Sequence, residues 1–197
     1  MMGSIALQTS RPLRLAREAR LRSAVDAHYD VVWRFLRRMG VPEGVAEDAV
    51  QQVLLVFARK LDDVDIDAER SFLLGTALRV ASDVRKQHSR LREVSDECAL
   101  GGQPSGAVEA DVELDRRRAR KVLDDLLEQL PPDLRSVFVM CDLEELTMSE
   151  VAASLAIPPG TVASRLRRAR EVFGELAAEA RRRLGEAKVV AGEGGAR

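Results

Sequence analysis

The chain has 197 residues, 46% hydrophobic and only 4% aromatic, and its 32% charged residues nearly cancel to a formal net charge of −1. That length allows one or two small domains, and the charge balance excludes a uniformly basic nucleic-acid coat, so any nucleic-acid binding must come from charge segregated on one face. Cys98 and Cys141, with only His28 and His88 beside them, have no zinc-ligand spacing and make no disulfide framework, and no apolar run is long enough to span a bilayer.

Residues 1–12 read as a loose lead-in. Arginines alternating with Leu and Ala over Leu13–Arg22 suggest a helix with a solvated basic face, and 1–22 together is taken as an N-terminal lead-in. It lacks the apolar core of a signal peptide, and the expected location is cytoplasmic. Ala24–Met39 is expected to be helical, with Val25, Tyr29, Val32 or Trp33, and Leu36 inward and Arg34, Arg37 and Arg38 outward. Gly40-Val41-Pro42 ends it. In Pro42–Leu61, Val50, Val53, Leu54, Phe57 and Leu61 repeat at helical spacing. The opposite face carries Asp48, Gln51, Gln52 and Arg59, but also Leu55 and Val56, and apolar residues on an outer face can mark a partner surface.

The next segment, DDVDIDAE (Asp62–Glu69), lacks the Gly and terminal Glu spacing of an EF-hand and is expected to be a solvated acidic loop. A long helix follows from about Ser71 to Arg92, with Leu73 or Leu74, Ala77, Val80 or Ala81, and Val84 inward. Its C-terminal part is basic, with Arg79, Arg85, Lys86, His88, Arg90 and Arg92, a density that suits phosphate. From Glu93 the composition turns to Gly, Pro, Ser and acids, which reads as a flexible linker, and helix returns from Asp115 to Leu130.

The most informative stretch is LPPDLRSVFVMCDLEELTMSEVAASLAIPPGTVASRLRRAREVFGEL, Leu130–Leu176. Thr147 and Glu150 fit a capping box opening a short helix over about Met148–Ala156, and Ile157-Pro158-Pro159-Gly160 makes a turn. In the helix after the turn, Val162, Leu166, Ala169 and Phe173 form one stripe. Ala163, Ser164, Arg167, Arg168 and Glu171 lie opposite, with Arg165 and Arg170 flanking the stripe. One packing face and one face of arginines and a small hydroxyl are what a recognition helix in a major groove requires. An amphipathic helix with a merely solvated basic face would show the same stripe, but the capped helix and Pro-Gly turn before it favour a helix-turn-helix. After Leu184 no core-forming pattern remains, and a disordered tail over 185–197 is expected.

Taken together, these segments resemble the extracytoplasmic-function (ECF) group of bacterial RNA polymerase sigma factors. LPPDLRSVFVMCDLEELTMSEVAASLAIPPGTVASRLRRAREVF resembles the region 4 pattern, EDAVQQVLLVFARKL resembles region 2.2, and RSFLLGTALRVASDVRKQHSR resembles regions 2.3 and 2.4. The resemblance implies an all-α fold of two small helical domains. A region 2 bundle over 23–92 and a region 4 helix-turn-helix over 119–184 would be joined by a linker over 93–118. It implies a non-enzymatic protein without cofactor, monomeric when free, that binds core RNA polymerase through the β′ clamp helices and the β flap, recognises promoter DNA, and is held by an anti-sigma factor. Polymerase binding would fall to Asp48, Gln51, Gln52, Leu55 and Val56. Capture of the −10 element as single strand would fall to the loop Leu61–Arg70 and to Arg79, Arg85, Lys86, His88 and Arg90. Reading of the −35 duplex would fall to Thr161, Ser164, Arg165, Arg167 and Arg168. The chain departs from the family at Ala163 (usually Lys or Arg), Phe72 (usually Trp), Arg79 (usually Asn), Gln52 (often Glu) and Glu145 (usually Gly), and in the acidity of the loop. Two other readings fit parts of the chain: a stand-alone helix-turn-helix regulator, which would dimerise on paired half-sites, and a degenerate sigma-like protein that occupies polymerase without opening promoters.

Overall fold

The structure, a computed structural model, describes residues 6–94 and 111–193, and the side chains of 13–88 and 117–183. Among these the chain is all helical: α1 (Ala6–Arg38), α2 (Glu43–Lys60), α3 (Glu69–Val94), α4 (Asp111–Glu128), α5 (Pro132–Phe138), α6 (Met148–Leu155) and α7 (Pro159–Glu193). Two 3-10 turns, Leu61–Asp63 and Ile66–Ala68, lie between α2 and α3. By its contacts the chain divides into two compact units, 1–96 with 149–156, and 97–148 with 157–197.

In the first unit α1, α2 and α3 pack on one another. The core is built from Val32, Phe35 and Leu36 of α1, Ala46, Val50, Val53 and Phe57 of α2, and Leu73, Leu74, Ala77 and Ala81 of α3. The predicted end of the first helix at Gly40 has a Schellman geometry. Gly40 takes φ 82°, its N–H donates to Arg37 O at 2.9 Å, and the Val41 N–H donates to Leu36 O at 3.1 Å. Val41 and Leu36 are both buried, which supplies the apolar contact that accompanies this cap.

Two sequence expectations change. The loose lead-in over 1–12 is helical from Ala6, and the helices expected on either side of Ser23 are one element of 33 residues. From Leu13 to Met39 there is no Gly or Pro, and Leu, Arg, Ala and Glu are strong helix formers, so the helix passes through Ser23 unbroken; Pro12, within the second turn, removes one backbone donor. At the other end α7 runs on to Glu193 through part of the expected disordered tail; GEAKVVAGE lacks a core pattern but is rich enough in Ala, Glu and Lys to carry helix. Most of the expected linker lies outside the described residues, its two edges being the end of α3 and the start of α4.

In the second unit α5 packs on α7, and α4 also touches α7. Leu127 and Leu130 are buried with Val137, Phe138, Val139 and Met140, and with Val162, Leu166 and Ala169 of α7. Phe138 stacks on Phe173 with ring centroids 4.7 Å apart. Buried Arg135 donates to the carbonyls of Glu128 and Leu130, which binds the end of α4 to α5. Pro132 stands at the start of α5, where its missing N–H costs nothing.

Candidate nucleic-acid interface

A π-helical turn, Val139–Leu143, continues α5, and the Glu144 N–H donates to Val139 O at 2.9 Å across it. The chain then reverses through Glu145, whose φ of 54° is left-handed. This is the position at which the family usually has Gly, the residue without a steric penalty there. α6 begins at Met148, directly after Thr147, as the capping reading places it. Ala156 (φ 52°), Ile157 and Pro158 turn the chain, and Pro159 opens α7, one or two residues ahead of the start expected near Gly160 or Thr161.

On α7 the predicted stripe is the packed one: Val162, Leu166 and Ala169 are buried and Phe173 is half-buried. Ser164, Arg167 and Arg168 are exposed with Ala163 and Glu171, while Thr161 and Arg165 are half-buried. The Ser164 hydroxyl donates to Thr161 O at 3.0 Å. The arginines are held differently. Arg165 reaches Asp133 at 3.6 Å, and Arg168 pairs with Glu171 one helical turn on at 3.1 Å. Arg170 grips Asp142 with two hydrogen bonds, Nε to Oδ2 at 2.8 Å and Nη2 to Oδ1 at 2.6 Å. This bidentate pair, the strongest form of charge-assisted hydrogen bond, raises the already high Arg170 pKa.

The sequence singles out neither Arg170 nor Asp142 for this role: Arg170 is only a flank of the stripe, and Asp142 lies 28 residues away with no periodicity linking them. Next to Ala163, a depression of about 600 Å³ is lined by Cys141, Leu146, Met148, Arg167 and Arg170, where a longer residue at 163 would project. The Cys141 thiol is pushed above its ordinary pKa by burial, then by Asp142, with Arg170 opposing. It therefore remains a protonated thiol at neutral pH.

In the first unit the candidates on α2 share one face. Asp48, Gln51, Gln52, Leu55 and Val56 are all exposed, Leu55 by 57%. The basic candidates on α3 do not share a face. Arg79 and Lys86 are exposed and seven residues apart, hence on one side, with Arg79 Nη2 donating to Thr76 Oγ1 at 3.2 Å. Arg85 and His88 are half-buried and turned away from that side, and the Arg90 side chain lies outside the described residues. Phe72, in the place of the family's Trp, is half-buried with its ring 6.0 Å from that of Phe57. The acidic loop is not simply solvated: Arg17 pairs with Asp62 and Arg20 with Glu69.

A family model described as Sigma-70, region 4 matches residues 120–172, which spans α5, α6 and the basic face of α7. ECF RNA polymerase sigma factor SigL of Mycobacterium tuberculosis is 30% identical over 155 residues, 77% of this chain and 85% of SigL. The chain belongs to the ECF RNA polymerase sigma factors. SigE of Mycolicibacterium smegmatis, another ECF sigma factor, is 25% identical over 155 residues, 79% of this chain but only 60% of that longer relative. In fold, the chain resembles the sigma factor RpoE of Bartonella quintana, solved in complex with the anti-sigma factor NepR. The TM-score is 0.62 at 19% identity, over 80% of this chain and 96% of that one. The all-α sigma fold expected from the sequence is therefore the fold the chain has.

Proposed function

We propose that this ECF sigma factor binds core RNA polymerase, directs it to promoters and helps to open them. The observation that carries the reading is the exposed row Ser164, Arg167 and Arg168 on the side of α7 opposite the buried Val162, Leu166 and Ala169. Such a row enters a major groove edge-on, and arginine there bonds guanine bidentately or neutralises phosphate. In this reading α7 takes the −35 duplex. The exposed face of α2, with Leu55 and Val56 amid Asp48, Gln51 and Gln52, takes the β′ clamp helices. The loop after α2, with Arg79 and Lys86 of α3, takes the −10 strand once it is melted, when unstacked bases can be read on their edges. The second unit would also meet the β flap. An anti-sigma partner is proposed from the neighbours, since the RpoE structure holds NepR and the CnrH structure holds the cytosolic domain of CnrY.

A second reading has its own support. Phe72 packs toward Phe57 rather than standing free to stack on a base, and Ala163 removes a cation from the recognition face. A chain of that kind could occupy polymerase without opening promoters. Multi-round transcription with purified core polymerase and a pool of genomic promoter fragments separates the two. Discrete transcripts that depend on this protein, with aligned upstream elements, are the expected result. Co-elution with polymerase without transcripts would replace the first reading by the second.

A further inference from the structure

We propose that Arg17 and Arg20 are positioning residues for the loop between α2 and α3, and that the N-terminal half of α1 holds this loop in the shape that takes the melted −10 strand. The inference rests on the assignment of the loop to strand capture made above. It accounts for two features that the function leaves unused: the arginine-rich N-terminal half of α1, and a run of carboxylates where nucleic acid is to bind.

Each guanidinium ties one carboxylate and one backbone carbonyl. Arg17 donates through Nε to Asp62 Oδ2 at 3.0 Å and through Nη2 to the Ala58 carbonyl, in the last turn of α2. Arg20 donates through Nε to Glu69 Oε1 at 2.8 Å and through Nη2 to the Val64 carbonyl. The four acceptors fall before the loop, at its start, at its middle and at the first residue of α3. The carbonyl of Ala58 is among the last four of its helix, which lack an intrahelical partner and seek another donor.

The other contacts of the loop are local: two short 3-10 turns, with Ala68 N–H donating to Asp65 O at 3.0 Å and Glu69 N–H to Ile66 O, and the Ser71 hydroxyl donating to Ala68 O at 3.1 Å. Leu61 and Val64 are buried, but Ile66 is 71% exposed and Asp65 and Asp67 face solvent. The pair at its far end is well shielded, the Glu69 side chain being 8% exposed and that of Arg20 28%. A planar five-donor fork is suited to such a site in a way a lysine is not, because it can hold a carboxylate and a carbonyl at once in fixed geometry.

The same contacts settle the charge. The loop carries Asp62, Asp63, Asp65 and Asp67, and Glu69 follows as the first residue of α3. Arg17, Lys60 and Arg20 neutralise Asp62, Asp63 and Glu69, with Lys60 Nζ 3.2 Å from Asp63. Asp65 and Asp67 remain without an ion pair among the described residues. A phosphate backbone approaching the loop thus meets fewer net charges than the sequence suggests.

The test uses the full chain bound to core polymerase, comparing wild type with Arg17→Ala/Arg20→Ala on two probes cut from a promoter recovered by the transcription experiment. One is a fork with a single-stranded −10 element, the other a −35 duplex without it. Loss of two charge-assisted contacts is expected to weaken fork binding by about tenfold or more and to leave −35 and polymerase binding within about twofold. Hydrogen exchange should rise in the loop while the buried parts of α2 and α3 keep their protection. Arg20→Lys should recover only part of the loss, charge without the fork. Unchanged fork binding, or an equal loss on both probes and on polymerase, overturns the inference. If the double variant does not fold, Arg17→Ala alone, at the exposed end of the staple, must show the same selective loss or the inference fails. A wild-type complex that neither opens promoters nor binds the fork brings down the functional reading and this inference with it. An active wild type with an indifferent variant brings down the inference alone.

Discussion

On α7 four arginines spaced over six positions are held by quite different surroundings. Arg165 and Arg170 are drawn back toward Asp133 and Asp142, whereas Arg167 has no ion pair among the described residues and Arg168 has only Glu171 on its own helix. An exposed pair at that spacing is worth little and is easily exchanged for a base or phosphate. Arg168→Ala is therefore expected to cost about 1–3 kcal/mol on the best −35 sequence and to relax preference at one base position, as measured by competition binding across a promoter panel. A uniform loss over the panel would instead make Arg168 a phosphate contact. Which residues face outward was legible from the 3.6-residue period. Which of them are already engaged was not, because Asp133 and Asp142 come from α5 and the turn after it, and sequence spacing does not encode that approach. His28 offers a second residue-scale test. Burial lowers its pKa, Arg70 lowers it too and Glu69 opposes them. The native state thus resists protonation more than the unfolded chain does, so the unfolded state binds more protons as pH falls below the ordinary histidine value. Stability contributed by neutral His28 is complete near neutrality and is lost as pH falls toward and through the lowered pKa. Thermal unfolding between about pH 5 and pH 7 should be less pH-dependent in His28→Gln than in wild type; equal slopes would assign the dependence to other groups.

Helices as elements were well marked, their junctions less so. Periodic apolar residues and the Gly40 stop placed α2, α3 and the end of α1 within a few residues of where they lie. The merging of the lead-in with α1 and the run of α7 to Glu193 were hidden, because both stretches are helical by propensity without an apolar stripe to announce it. The π-helical turn after α5 was also hidden, since one extra residue in a turn leaves no compositional trace. The left-handed residue two positions after it was visible through the resemblance alone, as Glu145 in the place of a usual Gly. With φ at 54°, a side-chain-bearing residue there costs about 1–2 kcal/mol, against about 0.5–1 kcal/mol for the greater unfolded-state freedom of Gly. Glu145→Gly is accordingly expected to stabilise the second unit by about 0.5–1 kcal/mol in denaturant unfolding. A neutral or destabilising change would mean that the Glu145 side chain contributes more than the strain it causes.

At the scale of the whole molecule, a formal charge of −1 means that any cationic face is local, and in the proposed function the hold on DNA rests on polymerase as well as on this chain. The free chain should then bind a −35 duplex weakly and the polymerase complex should bind it tightly, which puts the weight of the proposed function on the α2 face proposed to meet polymerase. Leu55 is the side chain on which that surface is best tested. It is 57% exposed, lies on the side of α2 opposite the buried Val50, Val53 and Phe57, and has Gln51, Gln52 and Val56 around it. An exposed leucine on a folded bundle contributes little to stability, so Leu55→Asp should change unfolding by no more than about 0.5 kcal/mol. At the centre of an interface the same change buries a carboxylate and removes an apolar anchor, which is expected to weaken core polymerase binding by more than about tenfold. Binding can be followed by fluorescence anisotropy of the labelled chain, with circular dichroism on the same samples. Selective loss of polymerase binding from a folded variant supports docking through α2. Wild-type affinity would move the docking face elsewhere on the bundle and leave the Leu55–Val56 patch to another partner, such as an anti-sigma factor.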